Sequence, residues 1–566
     1  MLQKFLAMAL MLVIIGIGCN EIVANGYAAG LRGTGFESDR SLKETKAKIR
    51  AEYGENKPIT DDNYDKSLAV KCVNGTFVGK NTEDNIIAYK GIPFVGEQPV
   101  GEYRWKAPVE YGPDDGVYEA YYNGKTPCQS EDMSEEAGLY VQGEDCLYLN
   151  IWKANDASTE KKPVMVWIHG GAFVMGGTVD PLYEAHDLVA ENPEVIVVTV
   201  EYRLGVYGFF HLSHLPDGAD YPDAQNLGLM DQMMALKWVH ENIEGFGGDP
   251  KNVTVFGESA GGTSVTVLPL VEGAQAYFQR VIAQSGAPVF TRSPEEAIAC
   301  TNEVMENLGC KTVADLQKVD FEVLNDAASG LSLRVMVERD GRYVPADPYE
   351  AYLNGAAKNV DILQGCNKDE MGYFIYGAGL EQFAGFSAER LKKKLSQLTE
   401  DEKALVESYM KDARDVTETY SSTDRLFDQI GFIAPLFRLS ENQTMGGGKS
   451  YTYFFTPESK YPLMKSGHAL ELPVVFNREK VDPERDFDET FSKTLRKMWV
   501  QFAKTGDPSL SADISPDGKE KVWPLYDLKD KQVMIFDEFD IHPEKESERG
   551  ICDWDRIYFL TKYYCF

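Results

Sequence analysis

Short apolar runs rich in β-branched residues recur along the chain, at residues 164–168, 195–200, 253–256, 281–283 and 360–363. They lack the in–out alternation of a strand with one wet face, so each predicts a strand buried on both sides. Residues 451–455 form an aromatic run of the same kind. Helical stretches lie between these runs. Across residues 226–243, Leu229, Met233, Leu236 and Ile243 share one face at helical spacing and predict a core-facing helix. Strands alternating with helices predict an α/β fold, a mostly parallel sheet covered on both faces. Chemistry in such sheets sits at the carboxyl ends of the strands.

This pattern is continuous only from about Ala69, so residues 69–566 read as one large domain with insertions, without solenoid repeats. Residues 29–68 are polar and weakly periodic and predict a linker. At the start, Lys4 precedes an apolar run at residues 5–18. That is short of the roughly 20 residues that span a bilayer, and predicts a secretion signal within residues 1–28, with an N-terminal anchor as the alternative. Two processing sites compete. Cys19 follows Gly16-Ile17-Gly18, which loosely resembles a bacterial lipoprotein site, although an apolar residue is usual where Gly16 stands; Ala28 follows Gly26-Tyr27. Both predict an exported protein, secreted or tethered at the outer face of a membrane.

A net charge of −32 excludes nucleic-acid partners, because phosphate binding needs clustered Lys and Arg. None of the nine cysteines has Cys-x-x-Cys spacing, so no metal centre is implied. Export permits disulfides: Cys128–Cys146 and Cys300–Cys310 would each close a short loop, Cys552–Cys565 would staple the tail, and Cys72 and Cys366 read as buried singles.

The strongest local signal is Gly257-Glu258-Ser259-Ala260-Gly261, directly after the run at 253–256 and before a helix that starts at Ala260 and ends near Pro269. A G-x-S-x-G between strand and helix is a nucleophile elbow: the glycines permit a sharp turn, and the helix points its positive end at the serine. A second signal, His169-Gly170-Gly171-Ala172, follows the run at 164–168. Its backbone N–H groups, with that of Ala260, can form an oxyanion hole. His169 reads as a ring bracing this loop, because in this architecture the base comes last, after serine and acid. Only His468 and His542 follow Ser259. His468 lies on a loop after the aromatic run and is the predicted base; His542 lies in a charged, surface-like stretch. The acid belongs to Asn367-Lys368-Asp369-Glu370, after the run at 360–363. Spacing does not choose between Asp369 and Glu370.

With these motifs in place, the chain from about Val73 resembles the type-B carboxylesterase family, which also contains the cholinesterases. The resemblance rests on Gly91-Ile-Pro-Phe94, Glu144-Asp-Cys-Leu-Tyr-Leu-Asn150, His169-Gly-Gly-Ala172, Tyr202-Arg-Leu-Gly205, Asn226-Leu-Gly-Leu-Met-Asp-Gln232 and Phe246-Gly-Gly-Asp-Pro250. It continues in Phe256-Gly-Glu-Ser-Ala-Gly-Gly262, Gln284-Ser-Gly286, Asn367-Lys-Asp-Glu370, Gly467-His468 and Thr505-Gly-Asp-Pro508. It implies an α/β-hydrolase fold and a carboxylic-ester hydrolase working through an acyl-enzyme, with no metal or organic cofactor and a small-molecule ester as substrate. It selects Glu370 as the acid, with Ser259 as nucleophile and His468 as base. It implies Gly170, Gly171, Ala172 and Ala260 as the oxyanion loop and its donors, Glu258 beside the nucleophile and Ser285 supporting the acid, and it supports the Cys128–Cys146 and Cys300–Cys310 pairings.

Three departures stand out. Ala172 replaces a third glycine and narrows the substrate space. Met371 stands where glycine usually follows the acid. The segment between Cys128 and Cys146 contains no Trp, which argues against quaternary-ammonium substrates held by cation–π attraction; Tyr140 is a weaker substitute. Two other readings remain from sequence: a catalytically silent adhesion or binding protein of the same fold, and a hydrolase of amide, carbamate or thioester bonds.

Overall fold

The computed structural model describes residues 47–61, 63–129, 140–478, 487–549 and Leu560. The expected signal, both processing sites and the Cys552–Cys565 staple lie outside these residues.

An eleven-stranded sheet forms the centre. In chain order its strands are β1 (Lys80–Asn81), β2 (Ile86–Pro93), β3 (Tyr148–Ala154), β4 (Lys162–Ile168), β5 (Ile196–Val200) and β6 (Gly248–Glu258). They continue with β7 (Arg280–Gln284), β8 (Asp361–Asn367), β9 (Ser450–Phe455), β10 (Gln532–Asp537) and β11 (Asp540–Lys545). Across the sheet they stand in the order β1-β2-β3-β5-β4-β6-β7-β8-β9-β10-β11. Every neighbour from β5 to β10 runs parallel, whereas β1, β2 and β3 at one side and β11 at the other pair antiparallel. The six apolar runs of the sequence all sit in the parallel part. The antiparallel strands carry mixed polarity and do not stand out in the sequence.

Strand alternation builds two cores. Val164, Val166 and Ile168 of β4 face one layer and Met165 and Trp167 the other. The first layer is covered by α1 (Leu227–Asn242), the helix predicted across residues 226–243. Leu229, Leu236 and Ile243 are fully buried, and Asp231 and Gln232 are buried with them. Asp231 meets Arg203 in a buried two-point pair, Nε to Oδ2 at 2.8 Å and Nη2 to Oδ1 at 2.7 Å. The apolar stripe therefore under-reads this helix, which is enclosed on its polar side as well. Trp499 and Phe502 of a later helix, Glu489–Thr505, cover the opposite layer.

The linker expected at residues 29–68 ends earlier than its polarity suggests. From residue 47 the segment lies on the domain. Ile49 is buried with Tyr140 and Val179, and Tyr53 Oη lies 2.6 Å from Thr126 Oγ1. The Asn56 side chain donates to the Lys90 and Tyr122 carbonyls and accepts from the Tyr121 and Tyr122 N–H groups. One asparagine satisfying four backbone groups holds a polar strap that composition alone reads as unstructured.

Candidate active site

The elbow forms where β6 ends and α2 (Ala260–Val267) begins. Ser259 has φ 56° and ψ −116°, a region L-residues avoid. Its flanking glycines allow this. A Cβ on Gly261 would stand 2.0 Å from the Ile168 carbonyl, and one on Gly257 2.6 Å from the Gly261 backbone. The Ser259 N–H donates to the Gln284 carbonyl at 2.8 Å, tying the turn to β7. Ser259 Oγ has no hydrogen-bond partner among the described residues.

The residues after β8 and β9 reach the same edge of the sheet. Glu370 is fully buried. Its Oε1 accepts from the Asn367 N–H at 2.7 Å and from Ser285 Oγ at 2.6 Å. Its Oε2 lies 2.6 Å from His468 Nδ1, so Nδ1 carries a proton, because a carboxylate only accepts. The loop carrying His468 is held by Asn367 Nδ2, which donates to the Gly467 carbonyl at 2.7 Å. Ser285, itself at φ 49°, thus touches the acid and not the nucleophile.

Asp369 and Glu370, equivalent by spacing, have separate surroundings. Asp369 Oδ1 meets the Arg425 guanidinium at 2.5 Å and its Oδ2 accepts from the Ser466 N–H. Arg425 belongs to the helix Ser422–Asp428 and also contacts Asp428, whose Oδ1 accepts from the Met371 N–H. This buried cluster clamps the acid loop to the base loop. Met371 needs no special backbone, because Glu370 is already in right-handed helical conformation and Met371 opens the helix Met371–Ala378. The close approach falls one residue later, where a Cβ on Gly372 would stand 2.1 Å from the Met464 carbonyl.

The loop after β4 turns beside the elbow. A Cβ on Gly170 would meet Glu258 Oε2 at 2.8 Å and Ser259 Cβ at 3.3 Å. Gly171, Ala172 and Phe173 have φ of 103°, 55° and 63°, and the Gly171 carbonyl accepts from both Val174 and Met175. The departure from glycine at 172 thus falls on a left-handed backbone position that costs a non-glycine residue about 1 kcal/mol or more. This turn lies against the elbow, where a Cβ on Gly261 would also stand 2.9 Å from the His169 carbonyl.

Electrostatics concentrate on His468. Its Nε2 lies 2.9 Å from Glu258 Oε1, opposite the contact of Nδ1 with Glu370. Burial alone would depress the imidazole, but Glu258 and Glu370 outweigh it and hold His468 well above its ordinary value. A base must be neutral to accept a proton, so the acid limb of a pH–rate profile lies on the alkaline side of an ordinary histidine. Glu258→Gln removes one raising charge. We expect its acid limb in kcat/KM to move to lower pH; a limb that stays in place would show that Glu258 does not set it.

Several contributors leave little trace in the sequence. Phe432 sits in a π-helical turn, Gln429–Ile433, and packs on His468 and Phe290 with ring centroids 5.0 and 5.3 Å away. The extra residue of such a turn displaces side chains from the helical stripe, so periodicity misplaces it. Phe374 stacks on the same imidazole at 5.6 Å. Glu471 is fully buried, accepting from Gln284 and Asn367; burial and then Glu258 push it up to about 7. Its position three residues after His468 was its only signal. His542, by contrast, lies on β11 beside Asp540 and Glu544, partly exposed.

Among the described residues the expected Cys128–Cys146 and Cys300–Cys310 disulfides are absent. Cys72, Cys128, Cys146, Cys300, Cys310 and Cys366 are all unpaired thiols. Cys300 lies within the helix Pro294–Leu308 and Cys310 beyond its Gly309 cap. Cys300 Sγ faces the Arg334 carbonyl at 3.7 Å and Cys310 Sγ the Leu308 carbonyl at 4.0 Å, so the two thiols turn to different partners. Cys128 and Cys146 do line one small cavity with Arg104, Trp105 and Glu144. Burial pushes the Cys128 thiol up to about 12 and Cys146 well above its usual range. Tyr140, weighed as a cation-binding ring, is 7% exposed and packs on Ile49 and Val179.

Known proteins resemble this chain along most of its length. Residues 66–548 match the carboxylesterase family. The para-nitrobenzyl esterase of Bacillus subtilis (strain 168) is 36% identical over 488 residues, covering 83% of this chain and 95% of that protein. An acetylcholinesterase of Danio rerio is 29% identical over 536 residues, 81% of this chain and 82% of its own. The crystal structure of the Geobacillus stearothermophilus carboxylesterase EST55 superimposes with a TM-score of 0.74 at 34% identity, covering 86% of this chain and 99% of that one.

Proposed function

The chain belongs to the carboxylesterase family and is a serine carboxylesterase of the α/β-hydrolase fold, and from that premise we propose that Ser259, His468 and Glu370 carry out the reaction on esters of small acyl groups. The observation that carries the assignment of roles is the buried Glu370–His468 contact at 2.6 Å on the sheet edge that bears the strained Ser259. Neutral His468 takes the Ser259 proton as Oγ attacks the ester carbonyl. The N–H groups of Gly171, Ala172 and Ala260 receive the oxyanion. His468 returns the proton to the departing alcohol, leaving an acyl-enzyme. Water, deprotonated by the same imidazole, then releases the acid. Glu370 fixes the tautomer and stabilises the imidazolium, and Ser285 and Asn367 hold Glu370.

Two features support a preference for short acyl chains: the methyl of Ala172 on the oxyanion loop, and Phe432 packed beside His468 with Phe290 against it. The test is hydrolysis of p-nitrophenyl acetate, butyrate and octanoate. The expected order places octanoate last in kcat/KM, and Ala172→Gly should narrow the gap. Octanoate turning over fastest would reject the small acyl pocket. The composition of residues 1–28 supports export, with Cys19 or Ala29 as the mature start; N-terminal sequencing of the protein recovered outside the cytoplasm decides between them.

A further inference from the structure

Beneath the oxyanion loop lies a pair of buried polar atoms that the reaction scheme above does not use. His169, at the carboxyl end of β4, is fully buried, and Glu201, directly after β5, is 2% exposed. His169 Nε2 and Glu201 Oε2 face each other at 3.6 Å, and neither has a hydrogen-bond partner. The other end of each group is fixed. His169 Nδ1 lies 2.8 Å from the Gly170 carbonyl, which can only accept, so Nδ1 carries a proton. Glu201 Oε1 accepts from the Thr178 N–H at 2.8 Å and from its hydroxyl at 2.9 Å. The imidazole is stacked on Tyr202 at 4.5 Å between centroids, and the Tyr202 hydroxyl donates to the His169 carbonyl.

An unprotonated Nε2 would turn its lone pair on a carboxylate oxygen in a site without water-exposed surface. Two bare acceptors buried face to face are strongly disfavoured, whereas one proton between them removes the conflict. Resting on the esterase reading above, we propose that Glu201 is a positioning residue for the oxyanion hole. It shares one proton with His169 Nε2, so that the ring is held at both ends and fixes the peptide of Gly170 ahead of Gly171 and Ala172. Whichever partner holds the proton, the pair is neutral overall and its geometry is the same. The brace is needed because Ala172 and Phe173 both occupy left-handed backbone conformations that non-glycine residues do not favour. Thr178 extends it to the segment after the loop, where a Cβ on Gly176 would meet His169 Nδ1 at 2.7 Å and one on Gly177 would meet Glu201 Oε1 at 3.3 Å. Both strands and both ends of the oxyanion loop therefore converge on this one carboxylate.

The experiment compares wild type with Glu201→Ala and Glu201→Gln on p-nitrophenyl acetate, with rates referred to sites titrated by a fluorophosphonate and with affinity measured for a phenylboronic acid. A displaced oxyanion donor acts on the transition state and not on the ground state, so Glu201→Ala should lower kcat by about tenfold to a hundredfold with KM held within about twofold. Boronic-acid affinity should fall in step. Glu201→Gln should recover most of the rate, because its amide N–H can donate to Nε2 while its oxygen still accepts from Thr178. Wild-type kcat in Glu201→Ala, or a Glu201→Gln variant as slow as Glu201→Ala, overturns the proposal. Should Glu201→Ala not fold, 15N-histidine NMR of the wild type reads the proton directly, with His169 assigned by the signals lost in His169→Gln. An Nε2 that carries no proton and has the 15N shift of an imidazole nitrogen accepting no hydrogen bond overturns the proposal just as well. A wild type inert towards both the ester and the fluorophosphonate would instead reject the esterase assignment, and the NMR arm would still report on the pair.

Discussion

Ser259→Ala should lower kcat for p-nitrophenyl acetate by at least about 10⁴-fold while leaving the thermal unfolding temperature unchanged. The kinetic loss follows from removing the atom that forms the acyl-enzyme; only the oxyanion donors and substrate binding remain, and in a comparable triad removal of the serine costs about 10⁶. The unchanged stability follows from the geometry. Ser259 Oγ makes no hydrogen bond to the described residues, so its deletion leaves no buried partner unsatisfied. The strained φ of 56° is common to serine and alanine, so the elbow is neither relieved nor further strained. Steady-state rates and a melting curve on the same preparation check both halves. A variant that kept its rate would move the nucleophile elsewhere; one that lost rate and stability together would show that the hydroxyl has a structural partner.

Glu370→Gln should lower kcat by about 10⁴-fold, comparable with the loss when a triad aspartate becomes asparagine. The reason is tautomeric. The Gln amide can donate to Nδ1, and Glu258 at 2.9 Å then holds the remaining proton on Nε2, the nitrogen that must accept from Ser259. The base is locked in the wrong form by its own neighbour. Asp369→Asn is the matched control. It keeps the hydrogen-bonding shape but removes the charge facing Arg425, which would leave a buried guanidinium paired only with Asp428. Breaking such a pair costs about 3–5 kcal/mol, so this variant should lose stability while its rate per titrated site falls far less. Reversal of the two phenotypes would exchange the roles of the adjacent carboxylates.

The contrast between these neighbours shows where the sequence stopped being sufficient. Spacing located the acid loop, because a carboxylate had to follow a buried strand downstream of Ser259, and resemblance chose Glu370. The physical basis for that choice lies 55 residues further on, in Arg425, which no local pattern links to Asp369. The thiols show the same limit from the other side. Cysteine spacing suggested loops that a bridge could close, but the Cys300 and Cys310 thiols turn to different carbonyls, those of Arg334 and Leu308. The strap at residues 47–61 was legible only as polar composition, because Asn56 acts through backbone groups brought to it by tertiary folding.

The sequence by itself determined the elements whose signals are local: the parallel strands, which must be apolar throughout because both faces are buried, the helix across 226–243, the elbow around Ser259, the glycine-bearing turn after β4 and the order of the proposed serine, acid and base. Tertiary structure alone decided the antiparallel edge strands, the separation of Asp369 from Glu370, the enclosure of His468 by Glu258 and Phe432, and the meeting of His169 with Glu201. The division has one physical cause. Backbone conformation and burial periodicity depend on neighbours within a few residues, whereas charge pairing, protonation and ring contacts depend on groups that only the folded chain brings within a few ångströms.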